Sequence, residues 1–192
     1  MQRAQEMQAG RTGLARERES HATASAFGVG WVPMSTINEN VKKLAPDLTK
    51  DFPASPHAML AGYILAQRAV DKCRADLVGK VGDYHFDCPL DNMFLGFAGI
   101  KGSDLKDFVA TGADDAAVGQ WIEKNAKKRE RVEIIKWNND LRYKRLSECP
   151  DQLQEYMEDY IPKNIPQSVI RHIRYFFDIF DCEEKRWKPV HE

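Results

Sequence analysis

A short stretch of the chain carries His85, Asp87, Cys88 and Asp91. Imidazole, carboxylate and thiolate are all competent ligands for zinc or another divalent metal. A turn entering a helix can aim several such groups at one point. A helix N-terminus also favours negative charge, which suits Cys88 to act as a nucleophile with His85 as its base. The plainer account is preferred. Asp87 or Cys88 serves as the helix N-cap, Asp91 is a first-turn carboxylate, and His85 is a turn residue bonded to backbone. Sequence neighbours seldom supply three or four convergent ligands. His57 and His172 are the remaining histidines that could complete a triad within the expected fold.

Arg68, Asp71, Lys72 and Arg74 form a second cluster. With Tyr84 and His85 they could line a pocket for an anionic small molecule, since arginine contacts carboxylate or phosphate in two-pronged fashion. A solvated helix face with local ion pairs is the simpler expectation. A third feature is charge asymmetry. Lys124, Lys127, Lys128, Arg129, Arg131, Lys136, Arg142, Lys144 and Arg145 are followed by Glu148, Asp151, Glu155, Glu158 and Asp159. A basic strip with Trp137 and Tyr143 could meet nucleic acid. A basic helix beside an acidic one explains it more simply, because the formal net charge is only -1.

These groups need elements to hold them. Thr36 and Glu39 fit a capping box that opens a short helix ending before Pro46. Residues 47–53 read as extended. Ser55 and Pro56 then open the clearest helix, with Met59, Tyr63, Ala66, Val70, Cys73 and Leu77 on one face. Residues 84–86 read as a short extended piece that can pair with residues 78–81 as a very small hairpin. Pro89 starts the next helix, which Gly99 ends. Ser103 caps another through Thr111, and Asp114 opens one carrying Val118, Trp121 and Ile122. A longer basic helix spans 129–146 with Val132, Ile135 and Trp137. Pro150 starts a further helix, and Pro162 and Pro166 bound a linker. A last helix over 166–180 carries Val169, Ile170, Ile173, Phe176, Phe177 and Phe180, an aromatic density that places it centrally.

The chain has 192 residues, 43% hydrophobic and 30% charged. That is room for one domain with a real core. No apolar run approaches the roughly 18 to 20 residues that span a bilayer. Cys73, Cys88, Cys149 and Cys182 include no C-x-x-C pair and read as reduced thiols of a cytoplasmic protein. Residues 1–33 read as a disordered extension or a misassigned start, with Met34 as an alternative beginning. No phosphate-cradling glycine loop, dinucleotide fingerprint, HExxH or GxSxG is present.

The run DLTKDFP at residues 47–53 is followed by Ser55-Pro56, by DKCRA at 71–75, by GDYHFDCPLD at 82–91 and by FFDIFD at 176–181. Together these motifs resemble a bacterial family, domain of unknown function 5069. The resemblance covers residues 47 to about 181, and YHFDCPLD is its most specific part. It implies an intracellular bacterial setting and brings no catalytic residues with it.

The expectation is therefore an all-α fold, an irregular bundle of about six or seven helices with room for one very small β-hairpin. A single helical domain spans 35–181, with a tail over 182–192. A non-enzymatic binding or interaction domain is expected, taking a small molecule or a protein, not nucleic acid or a membrane. Its ligand groups are Arg68, Lys72, Arg74 and Tyr84. The alternative is a small enzyme, using metal held by His85, Asp87, Cys88 and Asp91 or using Cys88 and His85 as catalytic residues. No cofactor is specified.

Overall fold

The computed structural model describes residues 37–186. The extension over 1–33, Thr36 and the last residues of the expected tail lie outside them. Helix α1 (Glu39–Leu44) is capped by Asn38, whose side-chain oxygen accepts the Asn40 N–H. Residues 47–53, expected to be extended, fold into a turn at their start. Asp47 accepts from both the hydroxyl and the backbone N–H of Thr49, and its carbonyl accepts from Lys50 and Asp51.

The largest departure follows. Met59–Leu60 (β1) and Tyr63–Ile64 (β2) pair as an antiparallel hairpin, Met59 opposite Ile64 and Leu60 opposite Tyr63. Ala61 and Gly62 turn the chain at φ 51° and 80°, the left-handed pair that a tight type I′ turn needs. Leu65, at φ 68°, resets the backbone before α2 (Ala66–Leu77) begins. Met59 and Tyr63 are four apart, a spacing that suits a helix face and a two-residue hairpin alike. Gly62 between them disfavours helix by about 1 kcal/mol. The hairpin expected at 78–86 is a turn instead, with the Tyr84 N–H bonded to the Val81 carbonyl at 3.1 Å.

Helices α3 (Pro89–Ala98), α4 (Gly102–Ala110) and α5 (Asp115–Asn125) stand close to where the pattern puts them. Cys88 is the N-cap residue of α3, Pro89 its first position, and Gly99 at φ 69° its stop. Lys101, not Ser103, precedes α4. Asp114 caps α5 by accepting the Ala117 N–H at 2.8 Å.

Helix α6 (Arg131–Arg142) is shorter than expected, and a single 3-10 turn (Leu146–Glu148) follows it. Its inner face is Ile134, Trp137, Asn138 and Leu141, while Val132 and Ile135 are exposed. Helix α7 (Asp151–Asn164) runs through Pro162, which falls in its last turn rather than ending it. The helix expected over 166–180 is two pieces, α8 (Gln167–Ile170) and α9 (Phe176–Glu183). The break has a local cause. The Asp178 carboxylate accepts the Arg174 and Tyr175 N–H groups, both at 2.8 Å, and so caps a new helix there.

The fold is mostly α, with nine helices and one two-stranded sheet among the described residues. Helix α2 lies at the centre, packed against α1, α3, α4 and the hairpin. Ala66, Ala69, Val70 and Cys73 meet Phe94, Leu95, Leu105, Val109, Val118, Ile122 and Phe177 in one fully buried cluster. Each large apolar side chain in it contributes about 1.5–3 kcal/mol. Residues 182–186, read as tail, belong to the packed structure: α9 continues to Glu183, and Cys182 and Glu184 are buried.

Candidate functional site

Helix α2 is buried almost all round, and three of its buried side chains are cations: Arg68, Lys72 and Arg74. The solvated helix face expected for them is not what forms. Arg68 and Lys72 are one turn apart and share a face, whereas Arg74 points elsewhere. Arg74 reaches the Asp115 carboxylate at 2.5 Å and the Ala113 carbonyl at 2.9 Å. It ties the start of α5 to α2 and has no part in the site.

Arg68 donates from Nη1 to the Ala54 carbonyl and to Glu184 Oε2, both at 2.9 Å, and from Nη2 to Glu184 Oε1 at 2.5 Å. Tyr84 donates its hydroxyl to the same Glu184 oxygen at 3.0 Å. Arg186 donates to Glu184 as well and, from its other nitrogen, to the Pro53 carbonyl. The Arg68 guanidinium carbon lies 5.5 Å from the Tyr84 ring centre and 5.6 Å from that of Phe180. Burial works against the Arg68 charge, but Glu184 outweighs it and holds the guanidinium pKa above its ordinary value. Burial also pushes the Tyr84 hydroxyl up.

Lys72 Nζ lies 2.7 Å from Asp91 Oδ1 and 3.2 Å from Cys88 Sγ, to which it donates. The Asp91 contact is close but poorly angled: neither buried carboxylate oxygen accepts a well-directed hydrogen bond. Burial pushes the Asp91 carboxyl above its ordinary value, against the opposing pull of Lys72. A third acid, Asp71, accepts from the Ala54 N–H at 2.8 Å and from Gln67 at 3.1 Å. Burial raises its pKa too.

Arg68, Lys72, Tyr84 and Cys88 line one cavity of about 110 Å³. Apart from Glu183, its other walls are apolar or aromatic: Pro89, Leu90 and Met93 from α3, Leu153, Tyr156, Met157 and Tyr160 from α7, and Phe176, Ile179 and Phe180 from α9. Tyr156 and Tyr160 stack at 5.4 Å between ring centres. Tyr160 donates to Glu183 at 2.5 Å, and burial pushes its hydroxyl up. Lys72, Arg68, Met157 and Ile179 are buried, whereas Pro89, Leu153, Tyr156 and Tyr160 form a more open side.

The four residues read as metal ligands do not converge. Cys88 and Asp91 meet on Lys72, while His85 and Asp87 are exposed. Asp87 accepts from Asn92 at 2.9 Å, and its carboxylate fills the space that a Cβ on Gly102 would need. Among the described residues no group of three His, Cys, Asp or Glu side chains is arranged to hold a metal. His57 packs edge-on to Phe177, with its Nε2 3.8 Å from Asp181, and His172 sits beside Arg171. The group beside the Cys88 thiol is therefore Lys72. The other three thiols are raised by burial, Cys73 to about 12 and Cys182 to about 11.

Pattern reading missed Glu184, which it left in the tail, and the tyrosines of α7 as cavity walls. The four-residue step from Arg68 to Lys72 was the usable signal, since it separates them from Arg74. The basic residues Lys127, Lys128, Arg129 and Arg131 line a separate groove of about 850 Å³. Glu123, Glu130 and Glu133 share that groove, so its charge is mixed.

Fold and cavity together define a mostly helical domain closed by its own C-terminal helix over a small aromatic pocket. No helix among the described residues is long and apolar enough to cross a membrane. The chain belongs to the family described as domain of unknown function (DUF5069), whose model matches residues 50–186. That description assigns no activity. No curated protein matches the chain.

Proposed function

We propose that this domain is a non-enzymatic binding module for a small, uncharged organic molecule that places a ring or short acyl group in the α2–α3–α7–α9 cavity. The observation that carries this reading is the pairing of the buried cations. Arg68 already holds Glu184, and Lys72 already holds Asp91. An anionic ligand would have to displace one of these carboxylates, and a buried charge left over costs several kcal/mol. A neutral ligand leaves both pairs intact and gains from aromatic and thioether walls. A dry cavity of about 150 Å³ takes benzene, so 110 Å³ with an open side suits a ring or a short acyl chain. The four unpaired cysteines support a reducing, cytoplasmic setting.

The test is thermal unfolding and NMR with a panel of neutral and anionic ring-sized compounds, on the native protein and on Leu153→Trp. The expected result is that neutral members raise the melting temperature and shift the Tyr156, Tyr160 and Phe180 resonances. Leu153→Trp, which fills the open side, should remove both effects. Equal or stronger binding of benzoate than of benzyl alcohol would overturn the choice of a neutral ligand.

A further inference from the structure

The cavity holds two nucleophilic atoms within hydrogen-bond distance of each other, Lys72 Nζ and Cys88 Sγ at 3.2 Å. Beside them is a buried acid, Asp91, with Oδ2 unpartnered. Structural lysines are rarely buried in this way, since burial of an ammonium needs a partner. Here the partner is the acid at 2.7 Å, and both groups sit inside the domain rather than at its surface.

We infer that the cavity captures small aldehydes, with Lys72 Nζ forming a reversible imine and Asp91 handling the proton. This rests on the cavity being the binding site. The steps balance without any further reactant. For addition, Lys72 Nζ passes a proton to the Asp91 carboxylate beside it at 2.7 Å, and the freed electron pair adds to the aldehyde carbon. The C=O bond becomes C–OH, and one N–H proton moves to the oxygen through proton exchange within the pair. Asp91 then gives its proton to the hydroxyl, which leaves as water as the C=N bond forms. The product is an iminium beside an Asp91 carboxylate, one positive and one negative charge, as before binding. Capture therefore leaves the buried charge balance unchanged, which neither an anionic ligand nor loss of the lysine charge would do. Burial pushes the Asp91 carboxyl above its ordinary value, the direction that favours its taking up the Lys72 proton. Apolar walls suit such a lysine, since they exclude the water that would hydrolyse the imine.

The experiment uses the full chain with benzaldehyde, then cyanoborohydride to fix any imine, and peptide mapping of the modified lysines. Exposed Lys50 and Lys163, with side chains 81% and 71% accessible, serve as internal references. The expected result is modification of Lys72 ahead of these by about tenfold or more, through enforced proximity. It should be lost in Leu153→Trp and in Lys72→Arg. Mapping on the unaltered protein keeps the test valid if Lys72→Arg fails to fold. Benzyl alcohol has the same shape and no carbonyl, so it separates the two readings. If it raises the melting temperature while only exposed lysines are modified, imine capture is wrong and the binding site stands. If neither compound binds, both readings are overturned.

Discussion

Arg68 and Glu184 meet as a two-pronged ion pair across the closed end of the domain, each side chain only 1% exposed. Two elements far apart in the chain are joined by it, the central helix and the C-cap residue that ends α9. Removing one partner strands the other's charge, which costs about 3–5 kcal/mol. Urea unfolding of Glu184→Ala should show a loss of that size. A loss below about 1 kcal/mol would mean the pair is solvated in solution.

Lys72 and Asp91 give a sharper test because their contact is close but poorly angled. Lys72→Met and Asp91→Leu should each destabilise by about 3–5 kcal/mol, since each leaves a buried charge alone. The double variant should lie near the native stability or above it, because packed apolar groups replace such pairs well. Additive losses in this cycle would show that the two side chains do not interact.

Phe177 is fully buried and meets His57 edge-on, with ring centres 5.5 Å apart. Truncation to alanine removes a whole ring from a packed site. Phe177→Ala should cost about 3–5 kcal/mol, read as a fall in melting temperature. An unchanged melting temperature would move α9 out of the core.

Asp71 sets a pH dependence with a definite sign. Burial raises its folded pKa above the unfolded value, so the folded state binds the proton more tightly. The stability it contributes is fully present below the ordinary aspartate value of about 3.9. That contribution is lost as pH rises through the higher folded value. Asp71→Asn cannot titrate, so the stability of the native protein relative to this variant should fall across that window. A relative stability that rises there instead would contradict the burial of Asp71.

Cys88 is the one described cysteine that lines the cavity and touches an ammonium. Cys73 and Cys182 sit in the apolar core, with thiols pushed up to about 12 and about 11. Limited alkylation of the native protein should label Cys88 first and Cys73 last. Leu153→Trp should slow the Cys88 reaction. Labelling that begins at Cys73 would show that the core opens before the cavity admits reagent.

Much of this was legible where the local chemistry is strong. Pro89 and Gly99 bracket α3, and Asp114 caps α5, because proline, left-handed glycine and a capping carboxylate each act on their own few residues. The hairpin was not, because two residues per strand leave no period to count, and Met59 and Tyr63 match a helical step by accident. The break before α9 was written in Asp178, but a broad aromatic face over 169–180 masked it. For the site, residue types were informative and their grouping was not. Arg68, Lys72 and Tyr84 do share a cavity, yet Arg74 leaves it and His85 faces solvent. Glu184 could not be seen at all, since nothing nearby in sequence signals a partner 116 positions away.

Asn138 on α6 accepts the Ile64 N–H at 3.1 Å and donates to the Gly62 carbonyl at 2.7 Å. One amide side chain thus supplies an acceptor to β2 and a donor to the turn residue before it, as a neighbouring strand would. On the β2 side these two groups are already taken, so a second molecule has no free ladder to join along that edge. Strand-to-strand aggregation through this edge would first require α6 to let go.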